Sequence, residues 1–227
     1  MRNPLNALRR GVHFLPCYLE IKKMREDLPI DYLVDKTLNS WGKILSPLQV
    51  RFEIISLLEI LRLRKPRVIL EIGTAKGGTL FLFSRIASKD AKIISLDLPK
   101  GEFGGGYSIF KIPLYKSFVR GRQKISLVRK DSHKLKTLNQ IRDILSGEKV
   151  DLLFIDGDHT YEGVKKDFEM YGPLVKNKGL IVFHDISDIP PPTGVRRLWK
   201  EIKGNKKEII EKMDLGWGGI GILEKKD

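Results

Sequence analysis

From Lys65-Pro66 onward the chain repeats one texture: a short apolar run, a glycine-rich or acidic turn, then a helical pattern. The runs fall at 68–72, 92–96, 125–128, 150–155 and 180–183, with helical segments at 79–88, 136–145 and 160–171 between them. Strands this short, apolar on both faces and separated by helices, belong in a parallel sheet covered on both sides. A helix at 195–202 leads to two final strands, expected at 208–213 and 219–223. The pattern predicts one α/β domain on a Rossmann-like, doubly wound sheet, with no internal repeat and no low-complexity linker.

A different section precedes it. Residues 1–45 read as an N-terminal helical extension, ahead of a domain spanning 46–227. Leu5, Leu8, Val12, Leu15 and Leu19 approximate a helical stripe interrupted by Pro16. With Arg2, Arg9 and Arg10 alongside, two readings stand: a membrane-surface helix, or a cap on the main domain or on a second copy in a homodimer. A helix is expected over 46–63, with Ser46 as cap and Pro47 in its first position. No run reaches the roughly 18 apolar residues of a membrane span, and the start lacks the apolar core of a secretion signal. Cys17 is the single cysteine, so neither a disulfide framework nor a cysteine zinc cluster is available. The expectation is a cytoplasmic protein, peripheral at the membrane surface if the first helix lies on lipid.

The formal charge is +14, and the segment 100–136 carries ten basic residues against Glu102 and Asp131. Such an excess either coats a solvated face or rims a site for an anionic or membrane-associated acceptor. Phe103, Tyr107, Phe110, Tyr115 and Phe118 lie among these cations, but no RNA-binding signature accompanies them, which disfavours nucleic acid.

The strongest local signal is the strand-to-helix turn after residue 72. Gly73, Gly77 and Gly78 let the backbone turn tightly and approach a ligand, and the following helix offers free N–H groups. The spacing is neither that of a dinucleotide fingerprint nor that of a P-loop. Glu71 at the strand tip would repel a pyrophosphate but suits a cationic amino group. Asp97 ends the second strand, where an acid accepts from ribose hydroxyls. Asp131, Ser132 and His133 end the third, where a carboxylate suits an adenine amino group. Three successive tips therefore suit an amino acid, a ribose and a base, the parts of S-adenosylmethionine (SAM).

The stretches LEIGTAKGGT, SLDLP, DLLFIDGDHTYEGVKKDFEMYGPLVKNKGLIVFHD, GVRRLWKEI and GGIGIL together resemble a class I SAM-dependent methyltransferase. Within that superfamily the chain is similar to the branch of cephalosporin-hydroxylase-like and macrolide-sugar O-methyltransferases. The likeness covers roughly residues 46–224. It implies a seven-stranded, mostly parallel sheet with an antiparallel last strand, and methyl transfer to a hydroxyl of a small molecule, sugar or glycolipid. An RNA-directed methyltransferase and a non-catalytic cofactor-binding protein are the alternatives. The cofactor-binding set it implies is Glu71, Gly73, Thr74, Gly77, Asp97, Leu98, Asp131, Ser132 and Asp156.

Chemistry is expected at the fourth and fifth tips, which carry Asp156, Asp158 and His159, then His184 and Asp185. Asp156 and His159 are the expected catalytic pair, His159 as general base because an ordinary imidazole titrates near neutrality. Asp156 and Asp185 could hold a hard divalent ion such as Mg2+, which would acidify a bound hydroxyl. Relatives often place a second acid beside the strand-five aspartate. Here its neighbours are His184 and Ile186, which leaves that shell short of a ligand, so metal-assisted and metal-free routes both stand. His184 is expected to be structural or to support a ligand, while His133 either borders the adenine pocket or lies on the surface. Asp167 and Glu162 are expected in solvent. The glycine-rich stretch 101–110, with Phe103 and Tyr107, is either a lid or a surface loop, and the prolines at 190–192 would line the entrance.

Overall fold

The structure is a computed structural model describing residues 4–101, 106–188, 193–211 and 217–226, with side chains from residue 13 onward. Among these residues one sheet forms from β1 (Val68–Ile72), β2 (Lys92–Leu96), β3 (Lys124–Val128), β4 (Val150–Ile155), β5 (Val175–His184), β6 (Asn205–Ile209) and β7 (Ile220–Glu224). The order across it is β3-β2-β1-β4-β5-β7-β6. Only β7 runs against its neighbours, pairing antiparallel with both β5 and β6. The expected mixed seven-stranded sheet is thus present. Its order reverses between β1 and β4, and in such sheets ligands gather in the crevice at that switch, outside the strands' carboxyl ends.

Strand side chains alternate between two cores, as the pleat requires. Ile69, Ile93, Leu152, Phe154 and Val182 pack with α2 (Ile30–Asn39), α3 (Arg51–Arg64) and α4 (Gly78–Ile86) through Val34, Leu57, Phe81 and Phe83. Leu70, Ile94, Leu153, Ile155 and Phe183 pack against Ile141, Val164 and Trp199. Those three come from helices Leu135–Leu145, Tyr161–Tyr171 and Gly194–Glu201 on the other face. Burying both faces is what makes the strands read as unbroken apolar runs rather than alternating ones.

The front section differs from its reading. Helix α1 (Pro4–Lys23) continues through Pro16 instead of stopping there. Pro16 sits on the exposed face, where water can serve the carbonyl that loses its partner. The buried side of this helix is Cys17 and Ile21, with Phe14 and Tyr18 against them. Of the expected stripe, Leu15 and Leu19 point away, exposed at 60% and 46%. The side chains of Leu5, Leu8 and Val12 lie outside the described residues. No helix among the described residues is long and apolar enough to cross a membrane.

Helix α3 starts at Arg51, so Ser46 is not its cap and Pro47 not its first residue. A Cβ on Gly78 would stand 2.1 Å from the Leu45 carbonyl and 2.6 Å from Pro47 Cδ. Residues 45–47 therefore lie directly on the start of α4, and the chain reaches its own helix only after crossing the sheet's top. Strand β6 begins at Asn205, three residues before its expected place at 208, and Met213 lies outside the described residues. An edge strand needs little apolar surface; of these five residues only Ile209 is buried. The buried Glu53 of α3 accepts the N–H groups of Gly219 (2.7 Å) and Glu211 (2.9 Å), which fixes the approach to β7 over the top of β5.

Candidate active site

The turn out of β1 is the first wall. Gly73 has φ +89°, and a Cβ there would lie 1.9 Å from the Asp156 carbonyl oxygen. Only glycine lets the two strand ends pass so closely. Ala75 then donates its N–H to Asp97 Oδ2 at 2.8 Å. Gly77, also left-handed at φ +85°, caps α4 while the Tyr115 ring stands 2.5 Å from where its Cβ would be.

Two cavities of about 360 Å³ open at the strand tips. One is lined by Asp97, Leu98, Asp131 and Ser132, with Lys100 and Lys130 at its edge. The other is lined by Thr74, Gln49, His159, His184, Asp185 and Trp217. Gly73, Ala75 and Asp156 border both. In the first cavity burial pushes the Asp97 carboxyl up to about 6, against the backbone N–H groups that favour its charge. Asp131 accepts the His133 N–H at 2.8 Å, so its carboxylate is held at the rim.

The second cavity holds a compact cluster. His184 Nδ1 lies 3.1 Å from Asp156 Oδ1 and 3.4 Å from Asp185 Oδ1. His159 spans the same acids, with Nδ1 3.0 Å from Asp185 Oδ2 and Nε2 3.5 Å from Asp156 Oδ1. Burial opposes charge throughout, but mutual attraction wins. It keeps the Asp156 carboxyl below its ordinary range and holds His184 above the usual imidazole range. Burial likewise works against an imidazolium at His159, yet Asp156 and Asp185 carry its pKa to about 10. In this arrangement His159 is a cationic donor near neutrality, unlike the free imidazole its sequence position suggests. It can take a proton only after losing the one it holds.

A family model described as a methyltransferase domain matches residues 70–186. The chain belongs to the methyltransferase-domain family. Among curated proteins it is 30% identical over 141 residues to the uncharacterized protein y4gI of Sinorhizobium fredii, covering 61% of this chain and 15% of that one. It is 34% identical over 118 residues to the uncharacterized protein R132 of Acanthamoeba polyphaga mimivirus, covering 52% of this chain and 51% of that one. The chain thus spans about half or less of the length of these curated relatives. In fold it is similar to the O-methyltransferase from Bacillus cereus solved in complex with SAH, with a TM-score of 0.59 and 20% identity. That likeness covers 87% of this chain and 93% of the other.

Within this methyltransferase domain most expected residues reach the two cavities, and a few do not. Glu71 lines neither one. It is fully buried behind the turn, where its carboxylate accepts the Thr74 hydroxyl at 2.7 Å and the Thr79 hydroxyl at 2.5 Å. Burial there pushes its pKa up to about 8, and the two hydroxyls tie Glu71 into the loop. Gly77 shapes the turn and lines neither of these two cavities. Tyr107 is buried against Tyr115, with ring centroids 4.9 Å apart; Phe103 and the prolines at 190–192 lie outside the described residues. Asp167 is fully buried, 3.4 Å from His133 Nε2, while Glu162 is exposed as expected. His133 both lines the first cavity and bonds the Gly163 carbonyl at 3.1 Å.

The basic segment is only partly a rim. Lys111, Lys116, Arg120 and Arg129 turn inward and donate to the carbonyls of Ile44, Ile125, Ser84 and Tyr107. Their long stems serve carbonyls that the turns, the outer edge of β3 and the end of α4 leave without partners.

Two contributors were missed in the sequence. Gln49 donates from Nε2 to Asp156 Oδ2 at 2.9 Å across 107 residues of chain. Trp217 stands edge-on to His184, centroids 6.4 Å apart. No local motif marks either one. The only available hint was Pro47, which argues that residues before α3 are fixed in place.

Proposed function

We propose that the chain transfers the methyl group of SAM to a hydroxyl oxygen of a small-molecule acceptor. The observation that carries this reading is the pair of cavities meeting at Gly73, Ala75 and Asp156. One offers acids suited to ribose and adenine; the other offers a histidine and carboxylates suited to a hydroxyl. In line with this, the Bacillus cereus neighbour is an O-methyltransferase solved with SAH.

The adenosine part lies along Asp97, Leu98, Asp131 and Ser132, with the ribose hydroxyls donating to Asp97. The sulfonium methyl then points across Gly73 toward the second cavity. The acceptor enters past Leu48 and Trp217, and its oxygen sits between Asp156 and His159. His159, which is partly exposed, first releases its own proton to solvent. The neutral imidazole then takes the hydroxyl proton as the oxygen lone pair attacks the methyl carbon and the C–S bond breaks, its electron pair staying on sulfur to leave S-adenosylhomocysteine. Holding oxygen, carbon and sulfur in line is the domain's main contribution. Asp156, His184 and Asp185 each offer a ligand atom within 4.8 Å of the others, a donor set that fits a divalent ion. Such an ion, when bound, lowers the pKa of a coordinated hydroxyl.

Titration calorimetry with S-adenosylhomocysteine on the folded chain tests the first half. Micromolar binding is expected, and absence of heat would end this reading. A crystal soaked with the same compound should place its ribose on Asp97 and its sulfur facing Asp156.

A further inference from the structure

His184 stands directly beside Asp185 at the end of β5, and it is not a bystander. It is 3% exposed, and its Nδ1 stands 3.1 Å and 3.4 Å from one oxygen of each carboxylate. Ligand atoms about 2.1 Å from a common ion stand roughly 3.0–3.4 Å apart in octahedral or tetrahedral geometry. Those two separations therefore match edges of a coordination shell. A second observation points the same way. Gln49, 4% exposed and lining this cavity, bonds Asp156 through Nε2 while its Oε1 is buried without a partner. A polar atom left this way beside two carboxylates and an imidazole marks a place prepared for something else to bind.

We propose that Asp156, His184 and Asp185 form a mixed nitrogen–oxygen site that selects a borderline first-row transition ion, of the Zn2+ or Co2+ kind, over Mg2+. For its catalytic meaning the proposal rests on the methyl-transfer reading above. Mg2+ favours oxygen donors and keeps several waters, whereas imidazole suits the later first-row ions. Replacing an acid by histidine also lowers the negative charge of the shell, which removes part of the electrostatic attraction for a hard cation. Three protein ligands leave a position open toward the acceptor cavity, as in hydrolytic zinc sites.

The test titrates Co2+ and Mg2+ separately into the metal-free full chain. One Co2+ per chain is expected, with visible ligand-field bands, and Mg2+ should displace it only at about 100-fold or greater excess. His184→Glu should reduce the Co2+-over-Mg2+ preference by roughly tenfold or more, given that losing even an outer partner of a ligand costs 10–100-fold. Because His184 is buried, a readout without substitution accompanies this. The Co2+-loaded wild-type chain should show a paramagnetically shifted, slowly exchanging imidazole N–H in its NMR spectrum, from the buried Nε2. An unchanged preference in a folded His184→Glu chain overturns the proposal, as does the absence of the shifted proton. So does failure of the wild-type chain to bind Co2+. Calorimetry with S-adenosylhomocysteine on the same samples separates the two readings: binding of that compound without Co2+ sinks the metal site alone, and Co2+ binding without it sinks methyl transfer alone.

Discussion

The two cavities were built in different ways. The one bearing Asp97 and Asp131 is made where β1, β2, β3 and β4 end, by residues within a few positions of their strands and by a backbone turn that only glycine at position 73 permits. The one bearing His159 and His184 is assembled from distant parts of the chain: Gln49 before α3, Asp156 and His159 after β4, His184 and Asp185 at β5, and Trp217 before β7. The first depends on local geometry, the second on tertiary packing. Substitutions should therefore separate binding of the nucleoside from chemistry on the acceptor.

The largest expected effect is at the shared wall. Asp156→Ala should reduce turnover by about 10³-fold or more, since it removes the partner of both histidines, while S-adenosylhomocysteine affinity changes by no more than about threefold. Parallel loss of both in calorimetry and single-turnover assays would merge the two cavities into one functional unit. His159→Gln should come next, with turnover down roughly 10²–10⁴-fold and nucleoside affinity intact. A variant retaining most of its turnover would strip His159 of its assigned role.

On the other side, Asp97→Asn should weaken nucleoside binding by about 10–100-fold, the range of a hydrogen bond to a charged group, with little change in turnover at saturation. Its pH dependence follows from burial. The folded carboxyl titrates near 6, above its ordinary value, so the folded state holds the proton more tightly than the unfolded chain does. As pH rises through that window this group's contribution to stability falls, while its capacity to accept from ribose grows. Nucleoside affinity of the wild-type chain should thus drop as pH falls below about 6, and Asp97→Asn should flatten that profile. The same variant should melt roughly 2–4 °C higher at neutral pH, a check by calorimetric scanning. A pH-independent wild-type affinity would exclude Asp97 as the ribose partner.

The smallest effect is expected at Gln49→Leu, which leaves both histidines in place. Losing its bond to Asp156 should lower turnover about tenfold through a less well-held carboxylate, with nucleoside affinity unchanged. No change in turnover would show that the segment before α3 merely covers the site.

The fold was legible because the inner strands β1, β2 and β4 are buried on both faces. Runs such as VILEI and VDLLFI have no other stable use, and their ends gave β1, β2 and β4 to the residue. Legibility failed where burial is partial. The helix α1 stripe was misjudged because its length offers two apolar faces, and only contact with α2 and the segment around Trp41 selects Cys17 and Ile21 over Leu15 and Leu19. In the site, Asp97, Asp131 and Asp156 were readable as strand ends. Glu71 was readable as an acid at a tip but not as an inward one, because its direction depends on the hydroxyls of Thr74 and Thr79. The contact of His184 with Asp156 was not readable for the same reason: nothing local says that its ring turns toward that carboxylate.

By itself the sequence determined the strand count, the parallel sense of the first five strands and which residues stand at their carboxyl ends, because periodicity and burial on two faces are properties of short segments. Tertiary structure alone decided the rest: which of those residues face the crevice, that two histidines share two carboxylates, and that Gln49 and Trp217 close the second cavity. Such choices hinge on packing between segments a hundred or more residues apart, where the free energy of a side chain's direction is set by neighbours that no local pattern records.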